Sequence, residues 1–346
     1  MTDPTTQTTT QTTTKTTATA PLRATMRAVA QDRYGSSQVL RPARVARPVI
    51  ADDQVLLRVR AAGLDRGTEH LMTGKPYVVR LFVGLRTPKN PIPGRAAAGT
   101  VAAVGAAVTR LAVGDQVYGV APGSFAEYAL AHEDKLAHKP INLSFAQAAA
   151  IPVSAGTALQ ALVDAGRVQA GQSVLVVGAS GGVGSYAVQL AKAFGADVTA
   201  VASTAKLDLV TSLGADHVID YTREDFTDGT RRYDLILDIG GNTPVKRLRR
   251  ALRPRGTLVF VGGENSGNLT GLGRQLRGVL LAPFLRQRLV LLMAKERATD
   301  LDRLTRLIED GKLIPSVHRS YPLNEAPEAM RSLENGQVRG KVVITI

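Results

Sequence analysis

The chain has 346 residues, 44% of them hydrophobic, enough to bury a substantial core and to build two domains. Cysteine is absent, so disulfides, thiolate nucleophiles and every cysteine-containing zinc site are excluded, and the scattered histidines show no HxxxH-type spacing for a metal. The formal charge of +14 reads as a generally basic surface: arginine is spread along the chain, tryptophan is lacking, and no aromatics interleave with the basic runs, so nucleic acid is not expected as a partner.

Residues 1–25 are almost all Thr, Gln, Ala and Pro and are expected to be disordered, because they cannot bury enough apolar surface to offset their ordering entropy. They show neither the apolar stretch of a secretion signal nor the Arg-rich pattern of a transit peptide. No stretch approaches a membrane span, so a soluble, cytoplasmic protein is expected. From Met26 to about 139 the chain reads as short strands closed by turn residues, such as QVLLRVRAAG (54–63), AAGTVAAVG (97–105) and DQVYGV (115–120). That pattern predicts a barrel-like β domain, interrupted at 68–88 by a loop with a short helix.

After about 144 the texture changes. Strand VLVV (174–177) leads to a helix over 183–194, with Val183, Tyr186, Ala187, Leu190, Ala191 and Phe194 on one face and Gly195 as its stop. Strand VTAV (198–201), a helix over 205–213 and strands HVID (217–220) and YDLILD (233–238) follow. Thr243-Pro244 suits a helix start, and TLVFVGG (257–263) closes the series. Strands alternating with helices predict a doubly wound parallel sheet over 145–283. Residues 284–346, with helices at 301–310 and 325–335 and a strand KVVITI (341–346), are expected to return to the β domain of residues 26–144. The apolar stretch 276–295 suits either a membrane-surface helix or packing at a domain or subunit interface.

GASGGVG (178–184), after a buried strand and before a helix, is placed to cradle a pyrophosphate against the helix N-terminus. A carboxylate at the end of the second strand would accept the ribose hydroxyls of NAD. This chain has Ala202, Ser203 and Thr204 there, then Lys206, which suits the 2′-phosphate of NADPH.

Seven motifs together carry a family resemblance: PGRAAAGTVAAVG (93–105), VGDQVYG (113–119), GSFAEYA (123–129), IPVSAGTALQAL (151–162), GASGGVG, SLGADHVIDY (212–221) and RGKVVI (339–344). From Met26 onward the chain resembles the zinc-free, quinone-oxidoreductase-like branch of the medium-chain dehydrogenase/reductase superfamily. The resemblance implies a GroES-like β-barrel substrate domain, a Rossmann domain, a cleft between them, and a homo-oligomer, expected as a dimer. It also implies NADPH-dependent hydride transfer to a quinone, enone or related carbonyl compound. By resemblance, Ser180, Gly181, Gly182 and Val183 cradle the pyrophosphate, and Ser203, Lys206 and Tyr221 face the adenosine phosphate. Thr157, Gly240, Val261, Gly262 and Gly263 lie along the ribose and nicotinamide, and Arg339 and Lys341 close on the cofactor from the other domain.

Zinc-dependent members place a Cys and a His ligand where this chain has Asp65 and Arg95, so no metal is expected. Zinc-free relatives commonly have Asn and Asp where this chain has Asp65 and Thr68. Asp65 and Arg95, opposite in charge, either form an ion pair where zinc would otherwise sit or face solvent separately. Tyr77 and His70, a phenol and an imidazole on the loop bordering the cleft, are the candidate proton donors. The resulting expectation is NADPH-dependent reduction of a conjugated carbonyl compound without metal. The alternatives are metal-free alcohol–ketone oxidoreduction and an NADPH-binding protein that works through partners.

Overall fold

The computed structural model describes residues 25–262, 273–281 and 285–346; the tail residues 1–24 and Gly263 lie outside them. Alternating and aliphatic runs closed by glycine or proline form the first half. Strands β1 (Thr25–Ala30) and β2 (Arg41–Ala46) pair antiparallel, and β3 (Gln54–Leu64) leads into helices α1 (Arg66–Thr73) and α2 (Arg80–Val83). Then come β4 (Ala96–Val104), β5 (Gln116–Val120), β6 (Tyr128–His132) and β7 (Leu136–His138).

Two helices, α3 (Phe145–Ala149) and α4 (Pro152–Gln160), make the crossing to the second half. There β8 (Ser173–Val177), α5 (Gly182–Ala193), β9 (Asp197–Ala202), α6 (Leu207–Ser212) and β10 (His217–Asp220) alternate. They continue through β11 (Tyr233–Asp238), α7 (Val245–Arg250), β12 (Leu252–Phe260), α8 (Gly273–Leu281) and β13 (Arg288–Leu291). The strands form one parallel six-stranded sheet in the order β10-β9-β8-β11-β12-β13, the arrangement of a dinucleotide-binding fold. Residues 184–191 of α5 are all buried, because α4 covers the helix face that the sheet does not.

The chain closes with α9 (Ala298–Glu309), β14 (Val317–Pro322), α10 (Ala326–Glu334) and β15 (Lys341–Thr345). Strand β15 pairs antiparallel with β3, Val342 opposite Leu64, and joins the sheet β14-β15-β3-β4-β5-β7, with β6 also on β3. The last strand thus belongs to the barrel, while Gly340 just before it bonds to Ser180 in the turn between β8 and α5.

Three expectations need correction. A domain boundary at 283 falls too early, since β13 adds a sixth strand to the parallel sheet beside β12. The stretch 276–295 is not one helix: α8 ends at Leu281 and β13 follows. Pro244 keeps an extended ψ of 135°, so α7 starts one residue later than the Thr243-Pro244 signal suggests.

Candidate active site

The glycine-rich turn is built by close backbone approach. Gly178, following β8, takes a left-handed φ of 85°, and a Cβ on it would stand 2.9 Å from the Gly240 nitrogen beyond β11. Gly181 is the N-cap of α5 and supplies no side-chain hydrogen bond. A Cβ on Gly181 would meet only the Gly178 oxygen, at 3.5 Å, so its outer side is open. The uncapped start of a twelve-residue helix offers N–H groups and a positive dipole end to an anion.

The start of β15 lies over this turn. The Gly340 N–H donates to the Ser180 carbonyl at 2.9 Å. Beside Gly182, the Lys341 side chain is fully enclosed, its Nζ donating to the Leu64 carbonyl (2.6 Å) and the Ser154 hydroxyl (2.9 Å). Burial pushes this ammonium below its usual range, and Asp65 acts in the opposite sense. Arg339 pairs with Asp208 of α6 at 2.6 Å.

At the end of β9 the half-buried Ser203 leads into a short turn, and the Lys206 Nζ donates to the carbonyls of Gly336 (3.2 Å) and Val338 (3.0 Å). His318 on β14 is held below the ordinary histidine range by partial burial and by Arg339, Lys206 and Arg319, which places these cations in one corner. Of the acids near the end of β9, Asp208 is held by Arg339 and Asp220 is also engaged. It accepts the Thr222 N–H (3.0 Å), the Thr222 hydroxyl (2.7 Å) and the Thr204 hydroxyl. Tyr221 is exposed beside it. An uncapped helix start beside a cationic corner fits a phosphorylated dinucleotide.

Beyond the sheet's C-terminal edge, the Val261 and Gly262 N–H groups donate to the Asp238 carbonyl at 3.0 and 3.2 Å. The Asp238 carboxyl, raised by burial and opposed by Arg274, pairs with that guanidinium at 2.5 Å. A narrow cleft opens between the barrel, α4 and residues 294–297, lined by Arg95, Lys135, Thr157, Glu296 and their neighbours. The Thr157 hydroxyl donates to Val153 at 2.7 Å, so its oxygen keeps acceptor capacity toward the cleft.

Comparison with known proteins agrees with this two-domain geometry. Residues 51–141 match the alcohol dehydrogenase GroES-like domain, and residues 213–344 match the zinc-binding dehydrogenase family. Over 326 residues the chain is 36% identical to a 2-methylene-furan-3-one reductase of Solanum lycopersicum, covering 90% of this chain and 76% of that protein. It is 35% identical over 326 residues to a chloroplastic NADPH-dependent alkenal/one oxidoreductase of Arabidopsis thaliana, covering 90% and 77%. The quinone oxidoreductase structure from Coxiella burnetii superimposes with a TM-score of 0.83 at 30% identity, covering 93% of this chain and 99% of that one.

The chain belongs to the medium-chain dehydrogenase/reductase superfamily. It is an NAD(P)H-dependent oxidoreductase of that superfamily.

Within this dehydrogenase frame the structure draws the two mapped ligand positions near one another but does not pair them. Asp65 caps α1, its Oδ1 accepting the Thr68 N–H (2.8 Å) and hydroxyl (3.2 Å). Its Oδ2 is buried without a hydrogen-bond partner. Arg95 pairs with Glu296 instead. The cap holds Asp65 to the helix start, while Glu296 approaches Arg95 from the far side of the cleft. Asp65 Oδ1 and Arg95 Nη1 still flank Gly67, each 3.1 Å from where a Cβ would stand on it.

Neither His70 nor Tyr77 is among the described residues that line the cleft. His70 sits in the last turn of α1, away from the capped end, and its carbonyl receives the Gly74 N–H. Tyr77 is exposed, its ring against Arg80, which also packs on Tyr34. Two contributors escape sequence reasoning. Ser154 lies in the IPVSAGTALQAL motif, yet nothing local marks it as the acceptor for Lys341. Glu296 carries no signal at all, because its partner lies on another domain.

Proposed function

We propose that the chain reduces conjugated carbonyl compounds, enones or quinones, using NADPH and no metal. The observation that carries this reading is the open, uncapped start of α5 beside the corner of Lys206, Arg339 and Arg319, with Asp220 already engaged. Cations there favour a phosphate on the adenosine ribose, and the acids described beside them, Asp208 and Asp220, are already engaged. Similarity to a 2-methylene-furan-3-one reductase and an NADPH-dependent alkenal/one oxidoreductase supports the same cofactor and acceptor class.

When bound, the cofactor supplies a hydride. The Gly181 and Gly182 backbone lets the pyrophosphate approach α5, while Gly340 and Lys341 hold the last barrel strand against the turn and shield the groove from water. Thr157, Gly240, Val261 and Gly262 border the space beyond the sheet's edge. Metal-free operation rests on Asp65 and Arg95 standing where zinc ligands would, in a chain without cysteine. A conjugated acceptor suits such a site, because its developing charge is spread over several atoms. The resemblance further supports a homodimer.

The test is a cofactor-oxidation screen over quinones, enones, ketones and aldehydes, with NADH in parallel and a chelator control. Turnover of enones or quinones with NADPH, unchanged by chelator, is expected. Activity on plain ketones alone would favour the metal-free alcohol dehydrogenase reading. Tight NADPH binding without turnover would favour a binding protein.

A further inference from the structure

The cleft is lined largely by charged side chains. Its lining contains four cations, Arg95, Lys135, Lys295 and Arg297, against two carboxylates, Glu296 and Asp300. Asp300 serves another lining cation: its Oδ2 accepts from Gln160 at 2.6 Å and lies 4.0 Å from Arg297, which also pairs with Asp164 at 3.0 Å. Arg95 is therefore neutralised across the cleft by Glu296 alone, and both side chains are only about 30% exposed. The ion pair is thus partly shielded yet still reachable from the cleft.

Glu296 is built to let go without moving its backbone. The neighbouring Lys295 is fixed to Gln160 through its N–H (2.9 Å) and its carbonyl (2.6 Å), and Lys135 Nζ donates to the Glu296 carbonyl at 2.9 Å. Only the Glu296 side chain has to turn to release Arg95. Lys135, at its backbone and 3.0 Å from Asp134, is a second cation of the same cleft. A planar guanidinium that lines the cleft and is paired with a single internal carboxylate is matched in shape and charge to a carboxylate on a ligand.

We propose that Arg95 is a specificity-determining residue that selects acceptors carrying a carboxylate, which takes the place of Glu296. The acceptor class is then a conjugated carbonyl acid, such as a 4-oxo-2-enoate. This rests on the reading of the cleft as the acceptor site.

The experiment compares 4-oxo-4-phenylbut-2-enoate with its methyl ester, which share one enone and differ in charge. The readout is the ratio of kcat/KM for acid over ester in the native protein, Arg95→Met, Arg95→Lys and Glu296→Gln. Arg95→Met is expected to lower the ratio at least about tenfold, chiefly through KM for the acid, as loss of a charge-assisted hydrogen-bonded pair would. Arg95→Lys should fall between, and Glu296→Gln should raise the ratio by freeing Arg95. A merely structural role would depress both substrates together and leave the ratio unchanged, which would overturn the proposal. Calorimetric titration of the non-reducible 4-oxo-4-phenylbutanoate into the protein with NADP supplies a second readout, with binding expected to weaken in Arg95→Met. If neither enone is turned over, the proposed activity fails, and the calorimetry still decides whether Arg95 binds the acid; equal binding by both proteins refutes it.

Discussion

Gly181 and Gly184 belong to one turn, yet an alanine at each should fail in different ways. On Gly184 a Cβ would stand 2.1 Å from the Gly178 oxygen and 2.7 Å from the Ala179 Cα. Ordinary contact begins near 3.4 Å, so the turn itself would have to retreat by more than an ångström. Because the obstacle is backbone, the cost lies near the upper end of overpacking, about 3 kcal/mol, and alanine's helix preference returns about 1 kcal/mol. The net loss is about 2 kcal/mol, or a fall in melting temperature of roughly 4–8 °C. Gly181 instead has φ −82° and an open outer side. There the loss of a glycine cap, about 1 kcal/mol, is largely offset by the stiffer unfolded chain. Gly181→Ala should therefore melt within about 2 °C of the native protein but bind NADPH at least about tenfold more weakly, its methyl group filling the anion's approach to α5. Thermal unfolding without ligand and a fluorescence titration with NADPH separate the two effects. Native stability in Gly184→Ala would refute the packing argument, and native affinity in Gly181→Ala would refute the cradle.

Lys206→Ala should raise KM for NADPH roughly tenfold while leaving KM for NADH nearly unchanged, because one charge-assisted contact to a ribose phosphate is lost; an unchanged preference for NADPH would remove Lys206 from that role. Lys341→Met addresses the buried ammonium. Burial holds it below its usual 10.5 in the folded protein, so between the folded-state value and 10.5 the unfolded chain binds more protons and stability from this residue rises with pH. The native protein should gain on the variant in urea midpoint as the pH rises toward 10.5, and parallel profiles would contradict the assignment.

Much of this architecture was legible because local rules and global fold agree. GASGGVG, between a buried strand and a helix, announces a dinucleotide turn wherever the chain goes next, since the backbone geometry is set within seven residues. The same holds for strands closed by glycine and for the alternation that produces a parallel sheet. Element edges were less legible. Pro244 fixes its own φ but not the ψ that decides whether a helix has begun. Strand β13 follows an apolar run whose period does not separate strand from buried helix.

What the amino-acid order determined alone is the pair of folding units, the glycine turn, the missing acid after β9 and the absence of cysteine. Only the tertiary structure decided who pairs with whom across the cleft. Asp65 and Arg95 are opposite charges at mapped ligand positions, which suggested a pair. A helix N-terminus captured the first, and Glu296, delivered by the other domain, captured the second. Lys341 found Leu64 and Ser154 in the same way. Coulomb attraction and hydrogen bonding act over a few ångströms of space, and residues far apart in sequence reach that range only after both sheets have folded and met.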